Sequence, residues 1–274
     1  MSAIAGPLLL VGCGKMGGAL LDGWLARGTA PGEISVVEPS AALADALRAR
    51  HGVAVADAPT VLDEAFAPRV VVLAVKPQAM DAAITAYRRF AVPGTVFLSI
   101  AAGKTIAYFA RYLGDDAAVV RAMPNTPAAV GHGISVLCAN PRVDAAQCET
   151  CGALLAAVGE TVWIDDEALM DAVTAVSGSG PAYVFLLIEC LARAGVEAGL
   201  PEALATQLAR ATVHGAGVLA ARSPDPAATL RRNVTSPGGT TQAALKVLMG
   251  EGGFEILLEK AVAAAARRSR ELAD

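Results

Sequence analysis

Two glycine-bearing segments at opposite ends of the chain hold the residues best suited to chemistry. The first, Gly12-Cys13-Gly14-Lys15-Met16-Gly17, is a G-x-G-x-x-G that closes the apolar run Leu8–Val11 and opens a helical pattern over 19–27. In that setting Gly12 permits a tight turn, Gly14 admits a pyrophosphate to the backbone, and Gly17 lets helix and strand pack closely. Gly12, Gly14, Lys15, Met16 and Gly17 are therefore the expected cradle of a dinucleotide, with its phosphates facing a helix N-terminus. Glu38 follows the next apolar run, 21 residues after Gly17. A carboxylate there accepts hydrogen bonds from the adenosine ribose and repels a 2′-phosphate, which favours NADH over NADPH. Ser40 stands where it can contact a phosphate. The second segment, residues 233–241, combines hydroxyls, two glycines and a proline ahead of the helical pattern Ala243, Ala244, Leu245, Val247, Leu248. A Pro-Gly-Gly turn feeding a helix presents unpaired N–H groups at a positive dipole end, which suits a small anion, and Ser and Thr hydroxyls flank it. An ordinary capped loop has the same composition.

The elements that position these residues fall into two blocks. Residues 8–11, 34–37, 70–75, 96–100 and 119–123 are short β-branched runs that read as buried strands. Helical patterns over 16–27, 41–50, 78–90 and 105–113 separate them, which predicts βαβ units and an open, mostly parallel, doubly wound sheet. Residues 134–138 and 161–164 are expected as later edge strands around a helix over 144–158. Beyond residue 165 the patterns are helical only: 167–176, 182–198, 201–221 and 254–272. The expectation is a dinucleotide-binding domain over 1–164 and an all-helical domain over 165–274. Ala101-Ala102-Gly103 falls at a strand's carboxyl end, where open α/β sheets bind ligands. The Gly103-Lys104-Thr105 that follows mimics the end of a phosphate-wrapping P-loop, but Leu98 stands where that loop requires glycine.

Composition removes several function classes. A net charge of −4 argues against a nucleic-acid partner. No uninterrupted apolar run reaches a bilayer's thickness, since residues 182–191 are broken by Glu189, and no basic leader precedes Leu8. A cytoplasmic location without a membrane is expected. The five cysteines include Cys148-x-x-Cys151, but no second pair or histidine pair completes a zinc site, so these read as small apolar residues on a helix face.

Six segments together resemble one family. They are 12–17, Ala74-Val75-Lys76-Pro77-Gln78, 99–103, Arg121-Ala122-Met123-Pro124-Asn125-Thr126-Pro127, Ser177-Gly178-Ser179-Gly180-Pro181-Ala182-Tyr183 and 234–241. Their order and spacing, from about Leu8 to Leu272, are similar to those of the pyrroline-5-carboxylate reductases. The resemblance implies a Rossmann-type N-terminal domain, a helical dimerisation domain, and dimers that in some members build decamers. It implies reduction of (S)-1-pyrroline-5-carboxylate to L-proline by NADPH or NADH. Carried over by motif, Ala74, Val75, Lys76, Pro77, Ala101 and Asn125 line the cofactor groove. Ser236, Gly238, Gly239 and Thr240 hold the substrate carboxylate, and Thr241 lies at the imine nitrogen as the catalytic candidate. Many members carry a small hydroxyl or a basic residue near the position of Glu38, so this chain departs from a pattern associated with NADPH. Lys76, ahead of a proline, is biased to extended backbone, where it either faces the cofactor or is solvated. Residues 177–181 are either a bend that brings backbone to the substrate or a packing hinge.

Two other readings remain in play. A β-hydroxyacid dehydrogenase shares the two-domain plan but relies on a lysine in the first helix of its second domain, and residues 167–199 contain none. A nicotinamide-binding redox sensor would not require an organised anion loop.

Overall fold

The computed structural model describes residues 6–272 and forms two compact units, one of residues 6–178 with 266–272, the other of residues 179–265. The first is built on an eight-stranded sheet: β1 (Leu8–Val11), β2 (Ile34–Val37), β3 (Ala54–Ala56), β4 (Val70–Leu73), β5 (Val96–Ser99), β6 (Ala118–Met123), β7 (Gly133–Ala139) and β8 (Gly159–Trp163). Their spatial order is β3-β2-β1-β4-β5-β6-β7-β8. β1 to β6 are mutually parallel, β7 runs antiparallel to β6, and β8 runs parallel to β7.

Successive strand residues point to opposite faces, and both faces are covered. Leu8, Leu10, Ile34, Val36, Val70 and Val72 pack with Leu20, Leu21 and Trp24 of α1 (Lys15–Ala26), Leu47 of α2 (Ala41–His51) and Leu154 of α5 (Ala145–Ala156). Leu9, Val11, Val71, Leu73 and Phe97 pack with Met80 and Ile84 of α3 (Pro77–Ile84) and with Tyr108 and Phe109 of α4 (Ile106–Leu113). This two-sided cover is why the strands read as continuous apolar runs. The fold is the expected doubly wound α/β sheet followed by helices.

The structure adds and shifts several elements. β3 was not among the expected strands. β7 is interior to the sheet, and only β8 occupies that edge. The helix expected over 78–90 is α3 followed by a 3-10 segment, Thr85–Phe90. After β8 the chain stays with the sheet unit through residue 178, because Met170 and Ala175 are fully buried there and Glu167 binds back to β6 and α4. The short helix α6 (Met170–Val173) continues into a π-turn, Thr174–Gly178, a distortion frequent at functional sites. A β-carbon on Gly178 would run into Met123 Cε, so glycine lets the Met123 side chain lie directly against this turn.

The second unit contains α7 (Gly180–Glu197), α8 (Glu202–Arg222), α9 (Ala227–Asn233), α10 (Thr240–Leu248) and most of α11 (Phe254–Glu271). α9 was not among the expected helices; it is only seven residues long and opens after Pro226. Large apolar side chains lie open to solvent on α7 (Phe185, Leu186) and α8 (Leu208, Leu219). The helical run Glu167–Glu197 is long and apolar enough to cross a membrane, although no uninterrupted apolar run is. An interface helix of an oligomer meets the same length and composition criteria. The last turn of α11 belongs to the first unit: Ser269 Oγ and Asp171 Oδ1 are 2.6 Å apart, and a β-carbon on Gly103 (φ +75°) would fall 3.0 Å from the Leu272 carbonyl oxygen.

Candidate functional site

The carboxyl ends of β2, β1, β4 and β5 form a continuous shelf. The Gly12 N–H donates to Val37 O at 2.8 Å, Ala74 N–H to Val11 O at 2.8 Å, and Ile100 N–H to Leu73 O at 3.1 Å. Between β1 and β4 the strand order reverses, and a crevice at such a switch point is where doubly wound sheets bind ligands. The fingerprint loop, the turn Ala74–Pro77 and Ala101 all leave strands on this shelf.

The three fingerprint glycines have different physical causes. Gly12 holds φ +80°, a left-handed conformation that β-carbons disfavour. A β-carbon on Gly17 would stand 2.5 Å from Gly12 O, so the helix packs onto the strand only with glycine there. Gly14 is neither: its φ is −67°, and a β-carbon there would meet nothing within 4 Å. Gly14 is the N-cap of α1, and the amides of Lys15, Met16 and Gly17 in the first turn have no intrahelical acceptor. The space left open at Gly14 is thus a backbone cradle that a β-carbon would fill, as a pyrophosphate requires.

Glu38 is buried, 8% exposed, directly after β2. Its Oε2 accepts the Cys13 N–H at 2.9 Å and its Oε1 accepts the Ser40 N–H at 3.0 Å. Burial, reinforced by the Glu38 charge, pushes the Cys13 thiol up to about 12, so it stays protonated and is no nucleophile. Cys148 and Cys151 are unbridged on α5, and burial raises both thiols.

On the opposite face of the sheet, Asp81 Oδ1 accepts from Tyr108 OH at 2.5 Å and from Lys104 Nζ at 2.9 Å. These bonds, Tyr108 first, hold the Asp81 carboxyl below its ordinary value; burial and then Asp81 raise that of Tyr108. Lys104 is thereby engaged in tying α3 to the connection ahead of α4. Lys76 is exposed at the N-cap of α3, and Ala101 is buried, its N–H 3.3 Å from Ser99 Oγ. Asn125 has its side chain engaged within the protein: Nδ2 donates to Ser177 O at 3.2 Å and Oδ1 accepts the Ile134 N–H at 2.9 Å. It links the end of β6 to the π-turn.

In the helical unit, Asn233 closes α9 while Thr240 and Thr241 open α10. The loop between them holds Ser236, Pro237, Gly238 at φ +72° and Gly239, the N-cap of α10. A β-carbon on Gly239 would stand 2.5 Å from Ser236 Oγ, so this hydroxyl sits against the helix start. An open groove of about 770 Å³ runs beside it, lined among others by Thr235, Gly238, Gly239 and Lys246. The Gly238 amide is not free: Gln242 Oε1 accepts it at 2.7 Å. Gln242 was not among the expected site residues; a glutamine in the first turn of a helix behind a glycine-rich loop is the signal that points to it. Among the described residues no cluster of three or more metal-ligating side chains occurs.

Residues 167–272 match the family model described as pyrroline-5-carboxylate reductase dimerisation, and residues 8–103 match that described as NADP oxidoreductase coenzyme F420-dependent. The chain is 45% identical to the pyrroline-5-carboxylate reductase of Pseudomonas aeruginosa, covering 97% of each chain. Among solved structures it is similar to the pyrroline-5-carboxylate reductase of Coxiella burnetii, with a TM-score of 0.92 and 35% identity over 98% of this chain and 99% of that one. The Plasmodium falciparum pyrroline carboxylate reductase, solved with NADP bound, aligns over 100% of both chains with a TM-score of 0.84 and 29% identity.

Proposed function

The chain belongs to the pyrroline-5-carboxylate reductase family, and from that premise we propose that it reduces (S)-1-pyrroline-5-carboxylate to L-proline. It is an NAD(P)-dependent oxidoreductase acting on a cyclic imine. Likeness over nearly the whole chain carries this reading, and the open cradle at Gly14 agrees with it. A nicotinamide cofactor, when bound, supplies the hydride.

The residues of this chain divide the remaining work. The amides of Gly14, Lys15 and Met16 receive the pyrophosphate at the positive end of α1. The turn Ala74–Pro77, Ala101 and Asn125 line the rest of the groove. Glu38 faces the adenosine ribose, where its charge disfavours a 2′-phosphate, so the preferred cofactor is NADH. Ser236, Gly238, Gly239 and Thr240 hold the substrate carboxylate at the start of α10, and the amide oxygen of Gln242 yields its place on the Gly238 N–H to that carboxylate. Thr241 orients the imine nitrogen. An unactivated hydroxyl is a poor acid, so water supplies the proton. Most of the rate enhancement is positioning.

The chain self-associates through its helical unit, and the exposed apolar side chains of α7 and α8 are the material of that interface. We further infer a dimer able to assemble into a decamer, acting in the cytoplasm without nucleic acid or membrane partners.

The test is steady-state kinetics on pyrroline-5-carboxylate with NADH and NADPH side by side, together with proline-dependent cofactor reduction at high pH. Turnover is expected in both directions; tight dinucleotide binding with no turnover on either cofactor refutes the reading. Thr241→Ala is expected to lower kcat about tenfold or more while the cofactor Kd stays within a factor of two. A change in cofactor Kd at unaltered kcat would leave Thr241 as a helix-end hydroxyl only.

A further inference from the structure

Glu38 is the only carboxylate in the buried class among the described residues, and both of its oxygens accept backbone amides from different segments. A ribose ligand needs only to face the groove. It does not need to grip Cys13, 25 residues away, in the middle of the fingerprint. The end of β2 in fact holds that loop at two consecutive peptides: Val37 O takes the Gly12 N–H at 2.8 Å and Glu38 Oε2 takes the Cys13 N–H at 2.9 Å. With Gly12 in a left-handed conformation, these bonds fix the peptide planes on either side of Gly12 and hence the direction in which Cys13, Gly14 and Lys15 leave the strand. Glycine on both sides of Cys13 makes the loop soft without such a restraint.

We propose that Glu38 is a positioning residue for the pyrophosphate cradle: its carboxylate holds the fingerprint loop in the conformation that receives a dinucleotide, independently of which ribose the dinucleotide carries. The proposal rests on the cofactor reading above and extends it. An ionised acceptor on a backbone amide in a buried place is among the stronger hydrogen bonds of a protein. The two amides also need both carboxylate oxygens. The isosteric glutamine offers one acceptor oxygen and turns its NH2 toward a second donor.

The two roles predict opposite signs for a probe that has no ribose. Inorganic pyrophosphate is repelled by a nearby carboxylate, so if Glu38 acts only by charge and ribose contact, Glu38→Gln and Glu38→Ser bind pyrophosphate equally well or more tightly. If Glu38 sets the loop, both variants bind it more weakly, about tenfold. The companion measurement is amide hydrogen exchange at Cys13 in the cofactor-free protein. It should be slow in the wild type and at least tenfold faster in both variants, with β-strand amides unaltered. Unchanged exchange at Cys13, or pyrophosphate binding in both variants that equals or exceeds that of the wild type, overturns the proposal. Glu38→Gln conserves shape, so it keeps the test interpretable if the serine variant folds poorly. Should the wild type bind no dinucleotide at all, the cofactor reading fails, while the exchange at Cys13 still reports on the restraint itself.

Discussion

Gly14→Ala is expected to weaken binding of the nicotinamide cofactor about 10- to 100-fold while leaving the stability of the free protein within about 0.5 kcal/mol of wild type. The folded chain gives no internal reason for glycine at this position. Its φ is open to any residue, and a β-carbon meets no atom within 4 Å. Alanine is a somewhat poorer N-cap than glycine, but it lowers the entropy of the unfolded chain, and these small effects oppose each other. Bound pyrophosphate changes the balance, because a methyl group then occupies the space the phosphate oxygens need. Fluorescence titration with NADH and thermal unfolding of the same samples check the two halves of the expectation. Gly17→Ala supplies the contrast. Its β-carbon would lie 2.5 Å from Gly12 O, so it should lose stability first and cofactor binding as a consequence. Unchanged cofactor affinity in Gly14→Ala would place the pyrophosphate elsewhere.

Glu167→Ala should cost about 3–5 kcal/mol of stability, the largest effect expected of any single substitution considered for this chain. One carboxylate oxygen, Oε1, accepts both Arg121 Nη1 and the Ile106 N–H, each at 2.8 Å. The Arg121 side chain is 6% exposed on β6, and Ile106 is the first residue of α4. Removing Glu167 leaves a guanidinium in the sheet unit without its counter-charge and a first-turn amide without an acceptor. Removing Arg121 instead leaves a carboxylate that keeps some access to water, so Arg121→Met should cost less. In the Glu167→Ala background Arg121→Met should recover part of the loss, because the stranded charge is then gone. Denaturant unfolding followed by the fluorescence of buried Trp24 reads all four proteins. A loss below about 1 kcal/mol would mean that water screens the pair as it does at a surface.

The parts of this fold that read well from sequence are those whose periodicity is set by burial on both faces. β1, β2, β4, β5 and β6 are short, mainly apolar runs, and each lies within a residue or two of its expected position. The fingerprint was legible because its context, strand before and helix after, is local. β3 was missed because Ala54–Ala56 is three residues of little apolar weight, held by its pairing with β2 rather than by its own pattern. The direction of β7 depends on a neighbour, since a five- to seven-residue run has no polarity of its own. Glu167 illustrates the same limit at a site: nothing around residues 165–169 indicates a buried arginine 46 positions earlier. The contact from Glu38 to Cys13 likewise becomes visible only once β1 and β2 are side by side. The fingerprint glycines showed the reverse. Separate roles were expected for all three from sequence, and the folded chain adds their geometry: a positive φ at Gly12, a close backbone contact at Gly17, and no atom within 4 Å of a β-carbon on Gly14.

The return of residues 266–272 to the sheet unit bears on how the protein is made. Translation delivers the eight strands first and the helices afterwards, yet the seat for Asp171 and the surface beside Gly103 are filled only by Ser269 and Leu272. On the ribosome, the nucleotide-binding half therefore waits in an unfinished form through the synthesis of the whole helical half, and these contacts close only once residues 269–272 have been made and released to fold back.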